Sequence, residues 1–216
     1  MKSKITGFDY LWCALYACAG VAFELLVMVV ENALGINTNS FTVIESIAHF
    51  SITTIGWVLI GFLVIFVGKR TTGFSVWQEK TPMKKWQWLL VIICFIVNII
   101  AKYLDWGGFK VILEYQSKIP ILFIFQYIYY LAEGFLISLI IVFGQKACEK
   151  WFDNDLIPYG GIILGLTWGL AHTFTQNSLF VGILSALSGF LFGAVYLFVN
   201  KDYRKALPII ILLFIL

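Results

Sequence analysis

The chain has 216 residues, of which 61% are hydrophobic and 12% are charged, and its mean hydropathy is +0.91. A soluble core of this length could not bury so much apolar surface, so the composition excludes a soluble globular domain and predicts an integral membrane protein. The lipid bilayer is therefore the expected partner. The net charge of +3 is explained by basic residues in the loops between membrane spans and does not indicate nucleic-acid binding.

The apolar runs predict an all-α, polytopic transmembrane helical bundle that forms a single domain over residues 1–216. A helix rises about 1.5 Å per residue, so about 20 residues cross a hydrocarbon core of about 30 Å. Six full spans are predicted, at Asp9–Leu34, Phe41–Val67, Gln87–Ala101, Ile119–Gly144, Ile157–Asn177 and Ser178–Val199. The last run, Ala206–Leu216, is too short to span, so we expect either a terminal half-span or a longer natural chain.

The basic residues predict the orientation of these spans. With the N-terminus in the cytoplasm, 12 of the 15 Lys and Arg residues fall on the cytoplasmic side, which indicates a multi-pass protein of the cell membrane. These residues are Lys2, Lys4, Lys69, Arg70, Lys80, Lys84, Lys85, Lys146, Lys150, Lys201, Arg204 and Lys205. The outer segment 102–118, which holds the other three, is expected to form a short amphipathic helix at the interface.

Small residues recur at four-residue spacing in the fifth and sixth predicted spans. The first series is Gly161, Gly165 and Gly169, and the second is Ser185, Gly189 and Gly193. Such series form grooves that let two helix backbones approach closely, and the short turn around 176–178 predicts an antiparallel pair.

Glu133 lies near the centre of the fourth predicted span, where a carboxylate costs on the order of 2.5–3.5 kcal/mol. Gln126, Tyr129 and Tyr130 precede it on the same helical face, which predicts a polar stripe turned toward the bundle interior or a wet cavity. Two interpretations remain open. Glu133 is either a functional carboxyl group or a protonated group that makes a structural hydrogen bond to a neighbouring helix.

His172 ends the apolar part of the fifth predicted span and is followed by Thr173 and Asn177. It is either a polar cap at the outer interface or a partner of Glu133. Counted from the cytoplasmic ends of their spans, His172 lies about 22 Å and Glu133 about 16 Å deep. This difference is compatible with a contact but does not require one.

A second polar pair, Glu45 and His49, shares a helical face in the second span, as Glu24 and Glu31 do in the first. We expect Glu45 and His49 to hydrogen-bond within the bundle. Zinc sites use such ligands, but no His-Glu-x-x-His pattern is present, so no metal is predicted. No phosphate-binding glycine loop occurs either, and no cofactor is expected.

Residues of about 119–216 resemble the CAAX-protease and bacteriocin-processing (CPBP, also Abi) family of intramembrane proteases. The resemblance consists of a mid-helix Glu133, a short turn, an aromatic-x-x-x-His motif at Trp168 and His172, the stretch Ser188–Leu197, and Pro208 after a basic turn. It implies that Glu133 is the base that activates water for peptide hydrolysis and that His172 is its partner. It also implies a membrane-embedded or prenylated peptide or protein as substrate.

The sequence departs from that family at several positions. The family's paired Glu-Glu reads Ala132-Glu133, and the Arg expected four residues later is Ile137. A second His would fall near Leu213 and an Asn beyond Leu216, so half of the expected constellation is missing. Thr173, Gln176 and Asn177 are the nearby polar residues that could substitute.

Three functions are compatible with these features. The first is an intramembrane endopeptidase with weak or lost activity, and the second is a pseudoprotease that binds a membrane peptide or partner in bacteriocin immunity or regulation. The third is a small ion- or proton-coupled carrier that uses Glu133, Glu45 and His49. A carrier would require a continuous polar path across the bilayer, and inverted repeats are not detected.

Overall fold

The computed structural model describes residues 5–78 and 81–216, so Lys2, Lys4 and Lys80 of the orientation prediction lie outside the described residues. The described residues form helices and connecting turns without a β-strand, which confirms the all-α prediction. The helices are α1 (Gly7–Val21), α2 (Phe23–Ala33), α3 (Val43–Thr72), α4 (Lys85–Trp106), α5 (Lys110–Ser117), α6 (Pro120–Phe152), α7 (Tyr159–Leu164), α8 (Leu170–Thr175), α9 (Leu179–Phe198) and α10 (Tyr203–Ile215). A π-helical turn, Gly165–Gly169, joins α7 to α8.

Five segments of the described chain are long and apolar enough to cross a membrane. They are the α1–α2 segment Gly7–Ala33, α3, α4, α6 and α9. The predicted fifth span, Ile157–Asn177, is divided into α7, the π turn and α8 and is not among them. Helix α10 has 13 residues and is too short to be counted. The prediction of six full spans and a half-span is therefore not confirmed.

Local signals explain where several helices begin and end. Helix α3 begins with a capping box in which the Thr42 hydroxyl accepts from the Glu45 N–H and Glu45 accepts from the Thr42 N–H. Pro120 occupies the first turn of α6, where a missing N–H costs nothing. Gly73 and Gly107 end α3 and α4 in the left-handed conformation that glycine adopts readily.

Helix α6 is the central element of the bundle and packs against α1, α3, α7 and α10. In its second half, Leu136, Ile137, Leu139 and the run 140–143 are at most 1% exposed. A membrane helix gains little from hiding such residues from lipid, so close packing must hold them in place.

The glycine series brings α7, the π turn and α8 against α9, as predicted. A methyl group on Gly161 would lie 2.8 Å from the Gly193 Cα, and one on Gly165 would lie 2.9 Å from the Ala186 carbonyl oxygen. A methyl group on Gly169 would lie 2.6 Å from the Ala186 Cα. Because the contacts run in opposite directions along the two segments, the pair is antiparallel.

The helix ends that carry most of the described basic residues lie at one end of the bundle, here called the basic end. Phe8 of α1 packs against Trp151 of α6 at 5.0 Å between ring centroids. Gln87 of α4 donates to the Asn200 side chain after α9 at 2.6 Å. Lys201 pairs with Glu149 at 2.6 Å. The opposite end, called the outer end, contains α5 and the polar cluster described next.

Candidate functional site

Trp168 connects the two side chains that the sequence analysis placed in a catalytic role. Its indole Nε1–H donates to Glu133 Oε1 at 3.0 Å. Trp168 lies in the π turn between α7 and α8, and turns of this kind recur at functional sites because they rotate side chains out of the regular helical register. The π turn thus brings an indole from a split helix to the middle of α6.

The main chain of Trp168 holds His172. The His172 Nδ1 and the Trp168 carbonyl oxygen are 2.9 Å apart, and the two rings meet edge to face at 4.4 Å between centroids. A carbonyl oxygen only accepts, so Nδ1 carries the proton in this contact. A neutral imidazole then presents Nε2 as an acceptor.

Glu133 and His172 each bond to Trp168 and not to each other. Within residues 5–78 and 81–216, no hydrogen bond or ion pair joins the two side chains. The sequence analysis offered His172 as a partner of Glu133; in the structure each side chain bonds to Trp168 instead, Glu133 to the indole and His172 to the carbonyl oxygen.

A small cavity of about 40 Å³ lies beside Trp168 between α4, α9 and α10. Lys102, Asp105, Ser185 and Ser188 contribute polar groups to its wall. A volume of this size holds one or a few water molecules when polar partners are available. This cavity therefore has room for water next to the indole.

The end of α10 closes the site on one side. Asn98 Nδ2 donates to the Leu213 carbonyl oxygen at 2.8 Å, and Lys102 Nζ donates to the Phe214 carbonyl oxygen. The Phe214 ring packs against Trp168 at 5.7 Å. Leu213, where the resemblance would place a second His, is fully buried. Two side chains of α4 thus hydrogen-bond to the Leu213 and Phe214 carbonyl groups of α10.

Glu114 of α5, which the sequence analysis did not identify, organises the polar stripe of α6. Its Oε1 accepts from Gln126 Nε2 at 2.9 Å and from the Tyr130 hydroxyl at 2.8 Å, and its Oε2 accepts from the Tyr127 hydroxyl at 2.9 Å. Lys118 Nζ also donates to Gln126 Oε1. Because Glu114 is only 3% exposed, these donors replace its hydration and dock α5 on α6.

Lys110 lies one helical turn before Glu114 and is also buried. Its ammonium group lies 4.1 Å from the Tyr130 ring centroid, 5.6 Å from that of Phe214 and 5.7 Å from that of Trp106. Rings at these distances stabilise a cation through their negative faces. Burial nevertheless lowers the pKa of Lys110 below its usual value, with Glu114 opposing the change.

The remaining predicted residues have different surroundings. Tyr129 does not share the environment of Tyr130, because its ring packs against Trp57 at 4.5 Å between centroids. The Thr173 side chain lies against Gly182 of α9. Asn177 is an exposed turn residue with φ of 50°, a conformation that asparagine tolerates.

His49 pairs with Glu31 and Glu24, not with Glu45. The His49 Nδ1 lies 2.9 Å from Glu31 Oε2, and its Nε2 lies 3.4 Å from Glu24 Oε1. Both acids contact one imidazole, as expected for residues seven apart on one helical face. Glu45 is used by the capping box of α3, which explains why the expected pair does not form.

The sequence feature that could have identified Lys110 and Glu114 is their four-residue spacing, which puts both on one face of a short helix. The same spacing is common on solvated helices, and only the fold shows that this face is buried.

In the described part of the chain, no group of three or more His, Cys, Asp or Glu side chains is placed to hold a metal ion.

The fold and the site define a helical protein with several candidate membrane spans and a polar cluster in the outer half of the bundle. Comparison with protein families, with curated proteins and with solved structures finds no match for this chain.

Proposed function

We propose that this chain is a multi-pass protein of the cell membrane, a degenerate relative of the CPBP family, that binds a membrane-embedded or prenylated peptide without cleaving it. The observation that carries this proposal is the position of Trp168, which donates to Glu133 and accepts from His172. A base and its partner must both reach the reacting water within about 3 Å. Because each of the two side chains bonds to Trp168, joint activation of one water by Glu133 and His172 is disfavoured.

The residue at position 213 supports the same conclusion. The resemblance places a second His near Leu213, which is fully buried, and the neighbouring Phe214 ring packs against Trp168 at 5.7 Å. Losing one preorganised donor of this type costs about 10²–10³ in kcat. A leucine cannot supply such a donor, so turnover would be slow even if Glu133 were ionised and water were present.

The order of the elements supports the family proposal. Helix α6 with Glu133 is followed by a short turn, the divided helix α7–α8 with Trp168 and His172, the glycine-rich α9, a basic turn, and α10 with Pro208. The grouping of basic helix ends at one end of the bundle supports a cytoplasmic N-terminus.

Peptidase activity is the second candidate, because His172 presents Nε2 as an acceptor and a water-sized cavity lies beside Trp168. The carrier has less support. Between Glu133 and Gln145 the only polar side chain of α6 is Ser138, which is bonded to the Tyr203 hydroxyl at 2.8 Å.

The test uses the full chain in lipid nanodiscs with a fluorescein-labelled, farnesylated peptide that ends in a Cys-aliphatic-aliphatic-Xaa sequence. Fluorescence anisotropy measures binding, and mass spectrometry of the peptide measures cleavage. The same peptide without the farnesyl group is the control for prenyl recognition, and Glu133→Gln is the control for chemistry.

We expect the farnesylated peptide to bind and to stay intact with both the wild type and Glu133→Gln. Cleavage by the wild type that disappears in Glu133→Gln would overturn the proposal in favour of the peptidase. Equal, weak binding of both peptides would overturn the proposed ligand class.

A further inference from the structure

Helix α2 leaves the packed bundle and forms a groove with α3 that the proposed function does not use. Helix α1 buries Cys13, Ala14, Ala17 and Gly20 against its neighbours, whereas α2, which follows a break at Ala22, buries only Val27 and Glu31. The diverging helices enclose a cavity of about 390 Å³, which is within the usual range for small-molecule sites.

The walls of the groove are two apolar stripes of matching period. Each stripe repeats every four residues, so its members point to one side of their helix. The stripes are Leu26 and Val30 on α2 with Leu34 at its C-cap, and Ile44, Ala48 and Ile52 on α3. Both helices belong to candidate membrane spans, so the open side of the groove meets hydrocarbon. A linear aliphatic chain matches this shape and surface.

Two carboxylates lie at the groove, and one of them is left to act on a ligand. Glu31 lies in its wall, 6% exposed, with its oxygens 2.9 and 3.1 Å from His49 Nδ1, so His49 is its partner. Glu45 lies at the outer end, where α3 begins. From residue 5 to residue 68 the sequence contains no Lys or Arg, and among the described residues Glu45 makes no ion pair with a basic side chain.

We propose that the α2–α3 groove binds one aliphatic chain of an amine-bearing phospholipid, with the amine placed against Glu45 at the outer end. The apolar stripes hold the chain, and the acidic mouth favours an ammonium group over an anionic headgroup. The groove shares no lining residue with the cavity beside Trp168, and its occupation does not depend on whether Glu133 is catalytic.

Native mass spectrometry of the detergent-solubilised full chain tests the proposal, with phosphatidylethanolamine and phosphatidylglycerol titrated separately. We expect the wild type to bind phosphatidylethanolamine more tightly. Glu45→Gln keeps an oxygen that can accept from the Thr42 N–H and removes the negative charge. It should reduce the preference for phosphatidylethanolamine over phosphatidylglycerol by about fivefold, because one charge near a membrane surface contributes about 1 kcal/mol. Asp153→Asn, at the basic end, is the matched control and should change nothing.

Ala48→Phe fills the groove and should weaken the binding of both lipids severalfold, whereas Ile55→Phe, on the lipid-facing side of the same helix, should not. Binding by Ala48→Phe equal to that of the wild type, or an unchanged lipid preference in Glu45→Gln, would overturn the proposal. A wild-type dimer that Ala48→Phe converts to monomer would assign the groove to a second copy of the chain instead. The Glu45→Gln result is independent of whether Ala48→Phe folds.

Discussion

The two halves of α6 have different physical surroundings. The carboxyl-terminal half packs Leu136, Ile140 and Phe143 against other helices with at most 1% exposure. The amino-terminal half places Gln126 and Tyr130 on Glu114 and places Glu133 on Trp168. One half is fixed by close packing and the other by hydrogen bonds, so the two halves should respond differently to substitution.

The largest effect is expected from Phe143→Ala in the packed half. Phe143 is fully buried, and its removal leaves a cavity that rigid neighbours cannot close. We expect a loss of about 3 kcal/mol, the low end of the range for buried Phe, because lipid solvates the unfolded side chain. Steric-trapping measurement of the free energy of unfolding checks it. Phe66→Ala, which removes an exposed ring of α3, should cost far less, and equal costs would refute the role of packing.

A smaller effect is expected from Gly161→Ala in the helix pair that carries Trp168. The added methyl group meets the backbone of Gly193 and the Phe190 carbonyl oxygen at 2.8 Å, and backbone atoms do not give way easily. We expect a loss of about 1–3 kcal/mol and a lower Tm in detergent. Gly108→Ala meets only the Leu113 side chain and serves as the control. An unchanged Tm for Gly161→Ala would show that the two backbones are further apart.

In the hydrogen-bonded half, Glu114→Ala should cost about 1–3 kcal/mol because it leaves buried donors without an acceptor. It should also release α5, which Glu114 docks on α6. Hydrogen exchange of the α5 amides measures the release, and Gln116→Ala on the exposed side of α5 controls for helix propensity. Unchanged exchange in Glu114→Ala would contradict the docking role.

The smallest expected effect is a pH dependence that originates in Lys110. Burial lowers the pKa of Lys110 in the folded protein, whereas in the unfolded chain it has the ordinary value of about 10.4. At pH values between these two pKa values, the unfolded chain therefore binds more protons than the folded protein. Stability contributed by Lys110 therefore rises with pH through this window. Comparison of Tm from pH 8 to 10 should show a steeper rise for the wild type than for Lys110→Met. Lys85→Met, at the basic end, controls for net charge, and parallel curves for the wild type and Lys110→Met would contradict the assignment.

The helical class and the glycine-to-glycine contact could be predicted because apolar runs and four-residue spacing of small residues are visible within single segments of the sequence. The sequence also predicted that Gln126, Tyr130 and Glu133 turn inward. It did not predict their partners. Glu114 lies outside the apolar spans, and the pairing of His49 with Glu31 and Glu24 depends on how α2 and α3 dock.

The position of Trp168 could not be predicted because it depends on the π turn. In a regular α-helix through Ile157–Asn177, every side chain after Gly165 would point in a different direction around the helix axis than it does after the π turn. The sequence analysis named Trp168 only as the aromatic residue of the aromatic-x-x-x-His motif, whereas in the structure it contacts both Glu133 and His172.

The indole hydrogen bond of Trp168 is measured most directly by NMR of the protein labelled with ¹⁵N-tryptophan. Trp168→Phe identifies the indole resonance of Trp168 by its loss. Glu133→Leu removes the acceptor, and the resonance should move upfield, whereas Glu133→Gln retains an acceptor oxygen and should move it less. An indole resonance that stays in place in Glu133→Leu would show that Trp168 does not hold the carboxylate, and would contradict the account of the site.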